Sequence, residues 1–96
     1  MREYELTVVF SPDVPDEDIG SEVERLGQLI AQKGGSVSGE PQRWGRLRLA
    51  YPINEFREGN YVFNRVNLEP SQAKEVERSL LASSAVLRHL LVRVED

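Results

Sequence analysis

Cysteine is absent from this 96-residue chain, which excludes disulfides, thiolate metal centres and cysteine nucleophiles together. Histidine occurs once, as His89 in an apolar stretch with no metal-ligating residue types beside it, so a packed or solvent-facing side chain is expected and not a catalytic one. Long hydrophobic runs are also missing: they extend over a few residues, against the ~20 that a membrane helix needs. The first residues lead directly into a charged, strand-like segment, so no signal peptide and no membrane association are expected, and a cytoplasmic location fits. No glycine-rich phosphate loop follows that segment, because Ser11-Pro12-Asp13-Val14-Pro15 is stiff and acidic. Asp13, Asp16, Glu17 and Asp18 lack the spacing and the glycine of a calcium loop, and a helix-dipole role suits them better. Ser83-Ser84 reads as a turn, not a nucleophile. The expectation is a chain without catalysis, cofactor, metal or small-molecule substrate.

Positive charge is in deficit, with 12 Lys+Arg against 16 Asp+Glu and a formal net charge of −4. That argues against nonspecific nucleic-acid binding by the whole surface, but not against a local basic patch. The charge is unevenly spread: acids crowd positions 13–24, while Arg43, Arg46, Arg48, Arg57 and Arg65 occupy the middle. Ten of the 12 cations are arginine, which suits bidentate phosphate contacts and stacking. At 40% hydrophobic and 29% charged the composition is that of an ordinary globular protein, and one domain over residues 1–96 is expected.

Residues 2–10 alternate, with Tyr4, Leu6, Val8 and Phe10 on one side and Glu3, Glu5, Thr7 and Val9 on the other, which predicts a half-buried strand. A helix is expected from about Pro15, its buried stripe formed by Ile19, Val23, Leu26 and Ile30, with Gly34-Gly35 as the stop. A second strand starts near Ser36, and Pro41 in its path implies an edge position or a bulge. It resumes from Arg43 to about Ala50, with Leu47 and Leu49 as the inward pair, and Tyr51-Pro52 ends it. Glu58-Gly59-Asn60 has turn chemistry, and Tyr61–Leu68 alternates as the third strand, with Tyr61, Phe63, Arg65 and Asn67 facing away from the core. Pro70 opens a second helix to about Leu81, and Val86–Val94 is the last strand. Its continuous apolar run Leu90-Leu91-Val92 predicts burial on both faces and a central place in the sheet. The order β-α-β-β-α-β is the α+β ferredoxin-like pattern, a four-stranded antiparallel sheet with two helices on one face.

The candidate functional surface lies along Arg43–Tyr61, a basic hairpin bearing aromatic residues. Tyr61 and Phe63 on an exposed sheet face beside Arg65 fit either a base-stacking platform or a protein contact. Trp44 on an edge strand marks an interface. Arg46 and Arg48 are either contact residues or a solvated strand balanced by Glu3 and Glu5.

Gly45-Arg46-Leu47-Arg48-Leu49-Ala50-Tyr51-Pro52-Ile53, followed by Gly59 and Tyr61, resembles bacterial small-subunit ribosomal protein six. So do the opening Met1-Arg2-Glu3-Tyr4-Glu5, the junction Leu68-Glu69-Pro70, and Ala85-Val86-Leu87-Arg88 entering the last strand. The resemblance implies a ribosome-associated structural role. The partners it implies are ribosomal protein eighteen, as a heterodimer, and the central domain of small-subunit ribosomal RNA. It assigns Arg2, Arg46, Arg48 and Arg88 to RNA contacts; Trp44, Tyr51, Tyr61 and Phe63 are then expected to meet the protein partner. The alternative is a stand-alone ligand-sensing or protein-interaction module of the same fold.

Overall fold

Alternation in the first strand determines which side of the sheet is covered. The structure, a computed structural model, describes residues 1–53 and 55–94. The expected domain over residues 1–96 also includes Asn54, Glu95 and Asp96, which lie outside the described residues. The elements are β1 (Arg2–Phe10), a 3-10 turn (Asp16–Asp18), α1 (Ile19–Gln32), β2 (Ser36–Ile53), β3 (Phe56–Leu68), α2 (Pro70–Ala82) and β4 (Val86–Arg93). They form the expected ferredoxin-like architecture, an antiparallel sheet in the order β2-β3-β1-β4. Tyr4, Leu6, Val8 and Phe10 enter one core with Ile19, Leu26 and Ile30 of α1, Val76 and Leu80 of α2, and Val62, Val66 and Leu68 of β3. Burying each large apolar side chain contributes roughly 1.5–3 kcal/mol, so this shared face holds the helices to the sheet. Among the described residues, the other sheet face carries no helix.

Helix α1 is built as its spacing predicts, with Ile19, Leu26 and Ile30 buried and Val23 packed against the core. It begins later than expected: Asp16–Asp18 form a 3-10 turn, and the α-helix starts at Ile19. Its end is a glycine stop, with Gly34 at φ 80° and the Gly35 amide donating to the Ile30 carbonyl at 2.9 Å. In α2, Pro70 occupies the first turn, where a missing N–H costs nothing.

Three strand expectations are corrected. First, β4 is an edge strand, not a central one. His89 and Leu91 oppose Val8 and Leu6 on the helix side, whereas Leu90 and Val92 stand 54% and 45% exposed on the open face. Second, Tyr51-Pro52 does not end β2, and Glu58-Gly59-Asn60 is not the turn. Both strands extend until Ile53 pairs with Phe56, and Glu55 between them takes φ 71°. Gly59 lies inside β3, and the position takes glycine because a Cβ there would fall 2.5 Å from Val9 Cγ1 and 3.0 Å from the Phe10 carbonyl. Third, Leu47 and Leu49 are not an inward pair: Leu47 is 42% exposed, and only Leu49 is buried.

Pro41 has the place expected of it. Strand β2 is the opposite edge, and its register against β3 shifts between Ser38 and Gln42, between Arg43 and Gly45, and between Arg48 and Ile53.

Candidate RNA and partner interface

The β2–β3 hairpin projects beyond the rest of the sheet and is tied down on both sides. On the helix side, Arg46 Nη1 donates to Glu58 Oε1 at 2.9 Å, and Nη2 reaches Asp16 Oδ1 at 3.5 Å and the Pro12 carbonyl at 3.4 Å. The hydrogen bond to Glu58 holds the Arg46 guanidinium above the ordinary arginine range, and the Asp16 charge adds to it. Arg43 donates to the Asp16 carbonyl at 3.4 Å. On the open side, Gly59 sits against Val9 and Leu87, and Arg88 Nη1 donates to Tyr51 Oη at 3.2 Å. The Arg88 guanidinium carbon also lies 5.9 Å from the Tyr51 ring centroid, within cation–π range.

The open face carries a band of apolar side chains. A register shift between Arg43 and Gly45, with Gly45 at φ 84°, brings Trp44 over Phe63. The rings stack at 5.6 Å with an interplanar angle of 6°, and Trp44 Nε1 donates to Gln42 Oε1 at 3.3 Å. Trp44 remains 49% exposed, so the stack is a platform and not a core. Tyr61 is half-buried beside it, and Leu47, Leu90 and Val92 continue the band across the sheet. A cleft of about 210 Å3 runs between Thr7, Val9, Tyr61, Arg88 and Leu90. Farther along the same face, Arg65 lies 3.9 Å from Glu3 and 3.8 Å from Glu5.

Among the described residues no cluster of three or more His, Cys, Asp and Glu is arranged to hold a metal ion. His89 packs against α2, 3.2 Å from Glu77. No described helix is long and apolar enough to cross a membrane. The open face presents exposed rings, aliphatic neighbours and, at the hairpin end, Arg88.

The family description Ribosomal protein S6 matches residues 3–93. This chain belongs to the ribosomal protein S6 family. It is 41% identical to the small ribosomal subunit protein bS6 of Moorella thermoacetica over 96 residues, covering 100% of this chain and 97% of that protein. It is 38% identical to the protein of the same name from Desulfitobacterium hafniense, with 100% of both chains covered. The crystal structure of 30S ribosomal protein S6 from Thermotoga maritima superposes with a TM-score of 0.88 at 26% identity, covering 97% of this chain and 87% of that one.

Within this family fold, the residues singled out from the sequence fall into separate groups. Tyr61 and Phe63 share the open face, as expected; Trp44 stacks on Phe63 there, and Tyr51 joins them through Arg88 at the hairpin end. The four candidate arginines do not form one cluster. Arg2 opposes Leu68 at the far end of β1, seven positions from Val9, the residue opposite Arg88. At ~3.3 Å per strand residue that is roughly 23 Å. Arg46 is engaged with two carboxylates, whereas Arg2, Arg48 and Arg88 have none within 4.0 Å among the described residues. Glu3 and Glu5 balance Arg65, not Arg46 or Arg48. Sequence reasoning missed Leu90 and Val92 as exposed interface residues, because an apolar run looks the same at the centre and at the edge of a sheet.

Proposed function

We propose that this chain is a structural component of the small ribosomal subunit that binds the central domain of its RNA as one half of a heterodimer with ribosomal protein eighteen. The observation that carries this reading is the half-exposed Trp44–Phe63 stack, which heads an apolar band on a sheet face without helices. Exposed aromatic and aliphatic groups of this extent on a protein of net charge −4 call for a protein partner more than for a phosphate chain. Leu47, Tyr61, Leu90 and Val92 extend the same docking face, and the Tyr61–Leu90 cleft suits one apolar side chain of the partner. Arg2, Arg46, Arg48 and Arg88 are the phosphate contacts in this reading. Arg46 meets RNA only by releasing Glu58 or Asp16, so its contribution is the smallest. The protein resides on cytoplasmic ribosomes and performs no catalysis.

Few phosphate contacts on an acidic domain mean weak RNA binding alone. Each neutralised phosphate steepens the dependence of log affinity on log salt by about 0.7–0.9. The isolated chain therefore has a shallow slope, and the heterodimer a steeper one. Filter binding to central-domain RNA across a salt series, with and without the partner, is the test. Tight binding by the isolated chain that the partner leaves unchanged would overturn the division of labour.

A further inference from the structure

At the far end of the hairpin, β2 carries surplus residues. Arg48 pairs with Glu58 and Ile53 with Phe56, so Leu49, Ala50, Tyr51 and Pro52 stand opposite Arg57 alone. The extra backbone opens a depression of about 230 Å3 lined by Arg48, Leu49, Ala50, Tyr51, Pro52 and Arg57. At about 30 Å3 per water, it holds several waters or a phosphate group with part of its shell.

Arg48 and Arg57 both line this one depression, and the nearest acid in the ladder is engaged elsewhere. The acid opposite Arg48 in the ladder is Glu58, but Glu58 gives its carboxylate to Arg46 at 2.9 Å. Glu55 is close in sequence and exposed, yet among the described residues neither Arg48 nor Arg57 has a carboxylate within 4.0 Å. Arg46 thus does two things: it ties the hairpin to the β1–α1 loop, and it removes the counter-charge from the tip. Tyr51 forms one wall and is braced by Arg88 through a 3.2 Å hydrogen bond. The arm is held from both faces before any ligand arrives, so little order remains to be imposed on binding.

We propose that the hairpin tip is a phosphate-gripping site for the RNA backbone, in which Arg48 and Arg57 share one phosphate and Tyr51, braced by Arg88, forms its wall. This rests on the RNA-binding reading above and deepens it. Arg57 joins the phosphate-binding set, and Arg46 becomes a positioning residue. Planar guanidinium forks suit a shared phosphate, since each offers paired donors in fixed geometry.

The test compares the parent heterodimer with Arg48→Gln, Arg57→Gln and the double variant, binding central-domain ribosomal RNA between about 50 and 400 mM salt, where counterion release is read. Arg78→Gln on α2, whose guanidinium faces Glu75, is the control and keeps the parent slope. The double variant is expected to lose about 0.7–0.9 from the salt slope, one phosphate's worth, with an unchanged melting temperature and unchanged affinity for the partner protein. A parent slope retained by the double variant overturns the tip site while leaving the RNA-binding reading intact. Loss of partner affinity with the slope retained assigns the tip to protein contact, and also overturns it. A parent heterodimer that does not bind the RNA fails both readings at once.

Discussion

Gly59 is dictated by its neighbours on β1. A methyl group there would press on Val9 Cγ1 at 2.5 Å and on the Phe10 carbonyl at 3.0 Å, and a backbone carbonyl cannot rotate away. Gly59→Ala is expected to lower stability by about 1–3 kcal/mol, the usual cost of overpacking, as read by urea denaturation. In the sequence the same glycine, flanked by Glu58 and Asn60, looks like a turn. Close backbone approach and turn formation both select glycine, and one sequence does not separate them. Asn64 is a second case. It sits in the core at 2% exposure, with Oδ1 unpartnered and Nδ2 reaching the Leu6 carbonyl only at 3.5 Å. Leucine has the same heavy-atom shape, so Asn64→Leu should be at least as stable as the parent, gaining up to about 1–3 kcal/mol by removing an unsatisfied buried group. The Arg46 contacts are exposed and open to screening. Arg46→Gln should therefore lower the melting temperature slightly at low salt, and the difference should vanish near 1 M NaCl, where the screening length is only about 3 Å.

At the level of elements, the order β-α-β-β-α-β was legible because strand alternation and helical spacing differ in period, and both are clear in β1, α1 and α2. The aromatic face was legible for the same reason, since Tyr61 and Phe63 alternate with buried Val62 and Asn64. Position within the sheet was not. Strand β4 is apolar because its Leu91 meets the core while Leu90 and Val92 supply the open face, and nothing local distinguishes this from burial on both sides. The length of the hairpin was hidden too, because Pro52 falls within an irregular part of β2 that needs no ladder donor there. The reach of Arg46 to Asp16, 30 positions away, is a tertiary fact with no sequence signature. Trp44 is the only tryptophan, so its emission reports directly on this element. In the proposed heterodimer, docking of ribosomal protein eighteen on the open face should shift that emission to shorter wavelength. Trp44→Ala should cost 2 kcal/mol or more in partner affinity, the range of aromatic hot spots. It should cost only about 0.5–1.5 kcal/mol in folding stability, the worth of one ring pair. Titration calorimetry and urea denaturation separate the two effects.

Across the whole molecule, the helices protect one side of the sheet and leave the other dependent on what binds it. Strands β1 and β3 are central and carry most of the buried side chains, whereas β2 and β4 are edges. Native-state hydrogen exchange should therefore be slowest in Tyr4–Val8 and Val62–Leu68 and faster in β4 and the hairpin end. A tip that exchanged as slowly as β1 would mean that its anchors carry more than their exposed geometry suggests. The outer strand has one more consequence. At 18 residues, β2 is long enough to recruit a second copy of the chain by adding strand to strand, a route to aggregation for any protein awaiting its partner. Its three register shifts cut that edge into short, differently twisted pieces, and Pro41 withholds a donor within the first of them. The irregularities that aim Trp44 and open the hairpin tip thus also keep an unassembled copy from templating its own kind.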